Sequence, residues 1–325
     1  MTAPQTEASA QPGPTAWQTV GGSLWLETGY DGILYRPVPR DKSQPFSHVL
    51  SVDLEDWQQS VLDRSLPVSD RFVAATHRIL ELLERFRVRV TFFVLGLAAK
   101  RAPSLVRALH QAGHEVQTHG YDHTEVNGQS PARFREDLLR AKGIVEDLTG
   151  SEVYGFRAPK FSIVASSLWA LDVLVECGFR YDSSIFPMPI RGYGIKGWPR
   201  YEHYLRTRAG AELIEVPVAT LRLFGRILPI CGGGYFRLLP YAMIRLGIRL
   251  LQHRGLPAVI YCHPHEFDPE ALAELDLPIG WKTRLHQGMG RRGFAGKIGE
   301  LLDEFPFGPI CSLLPAGARP PAVDQ

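Results

Sequence analysis

The chain has 325 residues, of which 45% are hydrophobic, 22% charged and 10% aromatic; this excludes disorder, collagen, coiled coil and a disulfide-rich mini-scaffold. Its 36 Lys and Arg against 34 Asp and Glu leave a formal charge of +2, so nothing electrostatic favours a polyanion and no nucleic-acid partner is expected. The length admits one large domain or two.

The first 16 or so residues, rich in Pro, Ala, Gln, Thr and Ser, read as disordered. Residues 17–45 carry Trp17, Trp25, Tyr30 and Tyr35 among Gly and Pro, a stretch to which no shape can be assigned. From residue 46, short runs of Val, Ile and Phe alternate with helix-period segments, the pattern of βα units in a parallel sheet or barrel. A strand at 48–52 ends in Asp53-Leu54-Glu55-Asp56, and a helix follows from the Ser69/Asp70 cap to about Phe86. Next come a strand at 88–95, a helix at 103–112 opened by Pro103 and closed before Gly113, and a strand at 114–118 that delivers His119. Ser130 caps a helix to about Leu148, with Gly150 as its C′ residue. The alternation continues through 153–156, the helix 166–177, the strands 179–181 and 212–219, the helix 240–254 and the strand 258–262, which ends in His263. The expected organisation is an N-terminal extension over 1–45, one catalytic unit over 46–270, and a C-terminal extension over 271–325 that packs on it and ends in disordered residues.

Residues able to do chemistry recur where strands end, which is where a barrel of parallel strands places catalytic groups. In His119-Gly120-Tyr121-Asp122-His123 two imidazoles four apart would share one side of a helical turn and reach one metal ion. A carboxylate from the acidic cluster would complete a three-ligand site: Asp53 and Glu55 share a side if the strand continues, and Asp56 joins them only if the chain has turned. Metal-assisted hydrolysis needs one carboxylate on the metal and another beside the water as base. The fork of Arg157 suits a bidentate contact with a carboxylate, and Pro159 ends strand pairing after it. Asp182 precedes two serines, either as a site residue or as an Asx turn. His263 ends an apolar strand and suits proton donation near neutrality, while His265 reads as a pocket wall. Trp57, Trp198 and Tyr235 are candidate platforms for sugar stacking, with Gly232-Gly233-Gly234 as a flexible loop that brings aromatics over a cleft. Cys177, Cys231, Cys262 and Cys311 show no CxxC spacing and read as inert interior thiols.

Taken in order, Val52-Asp53-Leu54-Glu55-Asp56, His119 to His123, Arg157-Ala158-Pro159, Tyr181-Asp182-Ser183-Ser184 and Ile260-Tyr261-Cys262-His263 resemble the motifs of the polysaccharide deacetylase family, the NodB-homology carbohydrate esterases. The flanking sequence, including Gly-Gly-Gly-Tyr-Phe-Arg-Leu-Leu-Pro-Tyr241 and His263-Pro-His-Glu266, resembles the subgroup found with bacterial exopolysaccharide and exosortase gene clusters, which usually has Trp at the position of His265. The resemblance implies an α/β fold, a distorted (β/α)7 barrel, and hydrolysis of an N-acetyl group on an amino sugar with release of acetate. It implies Asp53 as general base, His119 and His123 as metal ligands, and Glu55 or Asp56 as the third. It also implies that Arg157 orients Asp53, that His263 is the general acid and that Asp182 orients His263, with Pro159, Trp57, Tyr235 and His265 on the substrate side. The implied cofactor is a divalent metal, zinc first, with cobalt, nickel or manganese as alternatives.

Two other readings compete: hydrolysis of a non-sugar amide, as in allantoinase-like or cyclic-imidase-like relatives of the fold, and a glycan-binding module without catalysis. The N-terminus shows neither a basic n-region nor an apolar h-region, and no window reads as a transmembrane segment. A cytoplasmic enzyme acting on N-acetylated glycans or lipid-linked saccharides is therefore expected. The helix 240–254, apolar with interspersed Arg, is read first as a barrel helix and second as a peripheral contact with the inner face of the membrane.

Overall fold

In a computed structural model that describes residues 17–40, 45–274 and 279–319, seven parallel strands form the centre of the molecule. In chain order these are β4 (His48–Leu54), β5 (Thr91–Val94), β6 (Glu115–Thr118), β7 (Gly155–Phe156), β8 (Tyr181–Asp182), β10 (Glu212–Glu215) and β13 (Val259–Cys262), and they pair in the order β10-β8-β7-β6-β5-β4-β13. Every residue of β4, β5, β6 and β13 is buried, as expected for strands covered on both faces. Past β10, Ala219 donates its N–H to Val259 at 2.8 Å, and Tyr261 donates to Cys231 at 2.7 Å, so the chain after β10 bridges to β13. Gly232 lies so close to β13 that a Cβ there would sit 1.9 Å from the carbonyl oxygen of Tyr261, and its φ of 119° is open only to glycine. The result is a mixed α/β fold around a curled parallel sheet.

Helices link these strands. Helix α1 (Arg71–Phe86) buries Phe72, Ala75, Ile79 and Leu83, the spacing of one helix face, and ends at Arg87 in the left-handed region. The link from β5 to β6 is two helices, α2 (Gly96–Arg101) and α3 (Pro103–Gln111), of which the hydrophobic pattern shows only the second. Helix α4 (Pro131–Thr149) is capped by Ser130, whose hydroxyl accepts from the Arg133 N–H, and ends on Gly150 at φ 66°. The expected helix at 166–177 is a 3₁₀ turn, Ala165–Ser167, followed by α5 (Ala170–Glu176). Helix α7 (Tyr241–His253) buries Ile244, Gly247, Ile248 and Leu251, so one of its faces packs on the body of the fold.

The stretch 17–45, unassignable from sequence, supplies three antiparallel strands, β1 (Trp17–Val20), β2 (Ser23–Glu27) and β3 (Leu34–Pro37), which reach the main sheet through β9 (His203–Arg206). A separate hairpin, β11 (Thr220–Leu223) and β12 (Arg226–Pro229), leaves the seam between β10 and β13. At the C-terminal side, α6 (Gly233–Leu238), α8 (Trp281–Gly288) and α9 (Phe294–Glu304) precede β14 (Phe307–Gly308), which pairs in parallel with the start of β4. The disordered lead over 1–16 and the disordered last residues expected from sequence lie outside the described residues, the latter from 320 onward. Among the described residues, no helix is long and apolar enough to cross a membrane.

Candidate active site

The strand ends deliver the chemistry. Asp53 is the penultimate residue of β4, Glu55 follows that strand, His119 follows β6, Arg157 follows β7, Asp182 ends β8 and His263 follows β13. All of them sit on the C-terminal side of the parallel strands, and Asp53, Glu55, His119, Arg157 and Asp182 are buried.

Arg157, fully buried, organises the centre. One terminal nitrogen donates to Asp53 Oδ1 at 2.8 Å and to Ser51 Oγ at 2.7 Å, and the other donates to Ser183 Oγ at 2.9 Å. Its Nε donates to the Ser183 carbonyl, and the guanidinium lies 4.3 Å from the Phe93 ring centroid. Because β7 and β4 are three strands apart, this contact can form only across a curled sheet. The Arg157 carbonyl in turn faces His119 Nδ1 at 2.7 Å. A carbonyl can only accept, so Nδ1 carries the proton and Nε2 keeps its lone pair.

That Nε2 lies 3.9 Å from Glu55 Oε2, and His123 Nε2 lies 2.8 Å from the same oxygen. The histidines do not share a helical turn as their spacing suggested. Residues 119–125 are irregular, with Gly120 at φ 82° and His123 at φ 66°, so the two rings are brought together by a left-handed backbone instead. The metal-ligand alternatives also separate. Glu55, His119 and His123 bring their donor atoms within 4.8 Å of one another. Asp56 is turned away, its Oδ2 accepting from the Ser69 N–H at 2.7 Å and its Oδ1 from the Ser69 hydroxyl at 2.9 Å, because the chain enters a π-helical turn at Gln58–Leu62.

Burial alone would push Glu55 up, but the nearby His123, His263 and His119 hold it down at about 2; burial holds His119 down at about 4. An ionised carboxylate beside a neutral imidazole is the donor state a divalent cation requires. Glu55 Oε2 and His123 Nδ1 are buried without a hydrogen-bond partner among the described residues, and a cation would relieve the carboxylate oxygen. The donor set fits a divalent cation.

His263 faces Asp53, with its Nε2 4.0 Å from Asp53 Oδ2. Asp182 does not orient it. The carboxylates within 4.0 Å of its ring among the described residues are Asp53 and Glu266, whose Oε2 lies 3.4 Å from Nδ1 and also accepts from the His263 N–H at 3.0 Å. Burial would lower His263, yet Glu266, Glu55 and Asp53 raise it to about 9. Arg237 of α6 holds the other oxygen of Glu266 at 3.1 Å and donates to the Gln287 carbonyl at 2.8 Å. Glu266 was missed as a site residue, although an acid three residues after a candidate His at a strand end is a sequence signal for it. Asp182 instead accepts from Ser184 and lies beside Glu215, its carboxyl raised by burial to about 6 and that of Glu215 raised further by burial and by Asp182. Ser184 also accepts from the Ala158 N–H at 2.7 Å, which ties this pair to the turn carrying Arg157 and Pro159.

The expected stacking platforms change. Trp57 is buried, with His265 stacked on it at 5.9 Å and the Arg291 guanidinium 4.6 Å from its ring, so it offers no open face. His265 lies between Trp57 and His263 and is held well below its ordinary range by burial and then by the charges of His263, Arg291 and Arg237. Trp198 lies in the core against Tyr30. The triple glycine opens a short helix, not a flexible loop, and Tyr235 on it is half-buried. Pro159 is buried at the start of a 3₁₀ turn in which Lys160 and Phe161 both take φ 52°.

Known proteins resemble the chain in sequence and in fold. Residues 65–181 match the polysaccharide deacetylase family and residues 183–315 match a domain of unknown function (DUF3473). A peptidoglycan deacetylase of Helicobacter pylori is 25% identical over 154 residues, covering 43% of this chain and 51% of that protein, so the chain spans about half the length of this curated relative. In fold, a Mycobacterium smegmatis protein provisionally named a polysaccharide deacetylase superposes with a TM-score of 0.54 at 20% identity, covering 84% of this chain and 91% of that one. An allantoinase superposes at 0.52 and 18% identity over 78% of this chain and 90% of its own. Over residues 65–181, then, the chain is similar to the polysaccharide deacetylase family, and relatives named as peptidoglycan deacetylases match part of its length.

Proposed function

We propose that the protein is a metal-dependent deacetylase that hydrolyses the N-acetyl group of an amino sugar in a bacterial glycan or a lipid-linked exopolysaccharide precursor. The observation that carries the reading is the placement of Asp53 between Arg157 and His263, next to the Glu55, His119 and His123 donor set. Glu55, His119 and His123 would hold a divalent cation, zinc first. Such a cation supplies Lewis-acid polarisation of the acetyl oxygen and a water of lowered pKa.

The chain's own residues do the rest. Asp53, fixed through Oδ1 by Arg157, keeps Oδ2, 4.0 Å from His263 Nε2, to take a proton from the attacking water. His263, protonated up to about pH 9, gives its Nε2 proton to the amine nitrogen as the C–N bond breaks. Glu266 fixes the ring and favours that protonated form, and Arg237 fixes Glu266. The motifs that resemble the exopolysaccharide-associated subgroup are what favours the exopolysaccharide setting. Action at the inner face of the membrane is part of the proposal, and cell fractionation tests it.

The experiment is acetate release from N-acetylglucosamine oligomers and from lipid-linked N-acetylated saccharides, before and after chelation, with allantoin and a cyclic imide in the same panel. Chelator-sensitive acetate from a sugar substrate is expected. Turnover of allantoin or the imide without acetate would move the activity to the amide class, and glycan binding without any acetate would make the protein a binding module.

A further inference from the structure

Between Val216 and His265 the sequence has six arginines, no lysine and no acidic residue, whereas the rest of the chain has 34 acidic residues against 30 basic ones. In the middle of this stretch stands the β11–β12 hairpin, which shares no ladder with the main sheet. Its register pairs Leu223 with Arg226 and Arg222 with Ile227, so the two-residue turn is Phe224-Gly225. Phe224 takes φ 46° and Gly225 φ 77°. Both central positions of such a turn call for Asn, Asp or Gly, and a bulky side chain at positive φ is strained. Phe224 is also 95% exposed, so the folded chain gains nothing from the residue that strains it. A local conflict without a return inside the fold points to a use outside it.

The surroundings indicate the partner. Side chains alternate along a strand, so Arg222 and Arg226 project from opposite faces of the ribbon and flank the tip. Both are exposed, and neither has an ion pair among the described residues. Next to the hairpin, Ile230 packs on Gly247 of α7, whose exposed residues include Met243 and Leu246 at 55% and 57%. Arg245 and Arg249 of that helix share a single acid, Glu304. An aromatic tip between unpaired cations, in a segment without acids, matches the chemistry of an anionic bilayer surface: acyl and headgroup contact for the ring, lipid phosphate for the guanidinium groups.

We infer that the β11–β12 hairpin is a membrane-docking wedge that seats Phe224 in the interface of an anionic bilayer. This stands independently of the catalytic reading, since neither the hairpin nor the exposed side of α7 contributes a residue to the proposed site. The test is sedimentation of the full chain with vesicles of phosphatidylcholine alone and of an equimolar mixture with phosphatidylglycerol. Pelleting with the mixed vesicles, weakened by salt, is expected. Each basic residue near such a surface strengthens binding roughly fivefold, so R222E/R226E should lose well over tenfold. F224N should separate membrane use from folding, because it gives the turn a preferred residue: its melting temperature should equal or exceed wild type while vesicle binding drops. In F224W the emission should move to shorter wavelength on mixed vesicles. Failure to pellet with mixed vesicles, or binding that both variants leave intact, overturns the inference. So does concentration-dependent self-association that F224N abolishes, which would assign the tip to a second copy of the chain.

Discussion

Glu266 Oε2 sits 3.4 Å from His263 Nδ1, three residues further along one short 3₁₀ turn, and it also accepts the His263 backbone N–H. Sequence position and partner are thus one device: the turn that ends β13 builds the acid and its counter-charge together. With Glu266 the ring stays protonated to about pH 9, from an ordinary 6.5. A proton donor works in its protonated form, so wild-type activity should fall only as pH rises through about 9. In Glu266→Gln that limb should move toward 6.5, and acetate release at pH 8 should drop roughly tenfold or more. A pH profile of kcat/KM checks this, and an unmoved alkaline limb would remove Glu266 from the role. Asp182→Asn should leave the limb in place, because among the described residues the carboxylates paired with His263 are Asp53 and Glu266.

Asp53 is the base in the proposal, and Arg157 holds only one of its oxygens. Asp53→Asn keeps the volume and an acceptor for Arg157 but cannot take a proton. Acetate release should fall by roughly 100-fold to 10,000-fold, with metal content unchanged by elemental analysis. Turnover near the wild-type rate would assign the base elsewhere.

Much of this was legible in the sequence because it rests on short-range rules. Strand ends, the Ser130 cap, Gly150 and the order of the reactive residues follow from periodicity and capping chemistry. What was not legible depends on contacts between distant segments. The partner of Asp182 is Glu215, 33 residues away on the neighbouring strand, and nothing local in either segment announces it. Trp57 looked like a platform because aromatics near a site often are, but Arg291, more than 200 residues later, covers it. The histidine pair showed the opposite error. Its spacing of four fits a helix, yet Gly120 permits a left-handed turn that converges the rings without one.

Glu55 and Asp56 are adjacent, yet they should fail differently. Glu55→Gln removes the anionic donor facing His119 and His123, so metal content should fall to a small fraction of wild type while the fold persists. Asp56→Asn weakens the two hydrogen bonds from Ser69 at the entrance to α1. It should cost about 1–3 kcal/mol of stability and leave bound metal intact. Elemental analysis alongside thermal melts separates the two, and loss of metal from the Asp56 variant would return that residue to the ligand set.

The buried pair Asp182 and Glu215 sets a further pH dependence through its sign. Burial raises Asp182 from 3.8 to about 6, and burial together with Asp182 raises Glu215 further. A carboxyl whose folded value lies above its unfolded one favours the fold while it is protonated. The contribution is therefore complete below the unfolded value of about 4 and is lost as pH rises through about 6 and beyond. Glu215→Gln removes the second charge and keeps an oxygen for the Ile185 N–H. Its melting temperature relative to wild type should accordingly climb between pH 5 and pH 8 by about 2 to 8 °C. The comparison is made as a difference between variant and wild type because Glu55, lowered to about 2, contributes with the opposite sign in both proteins. A constant difference across that range would mean that the two carboxyls do not share a proton, and that Ser184 alone steadies the turn behind Arg157.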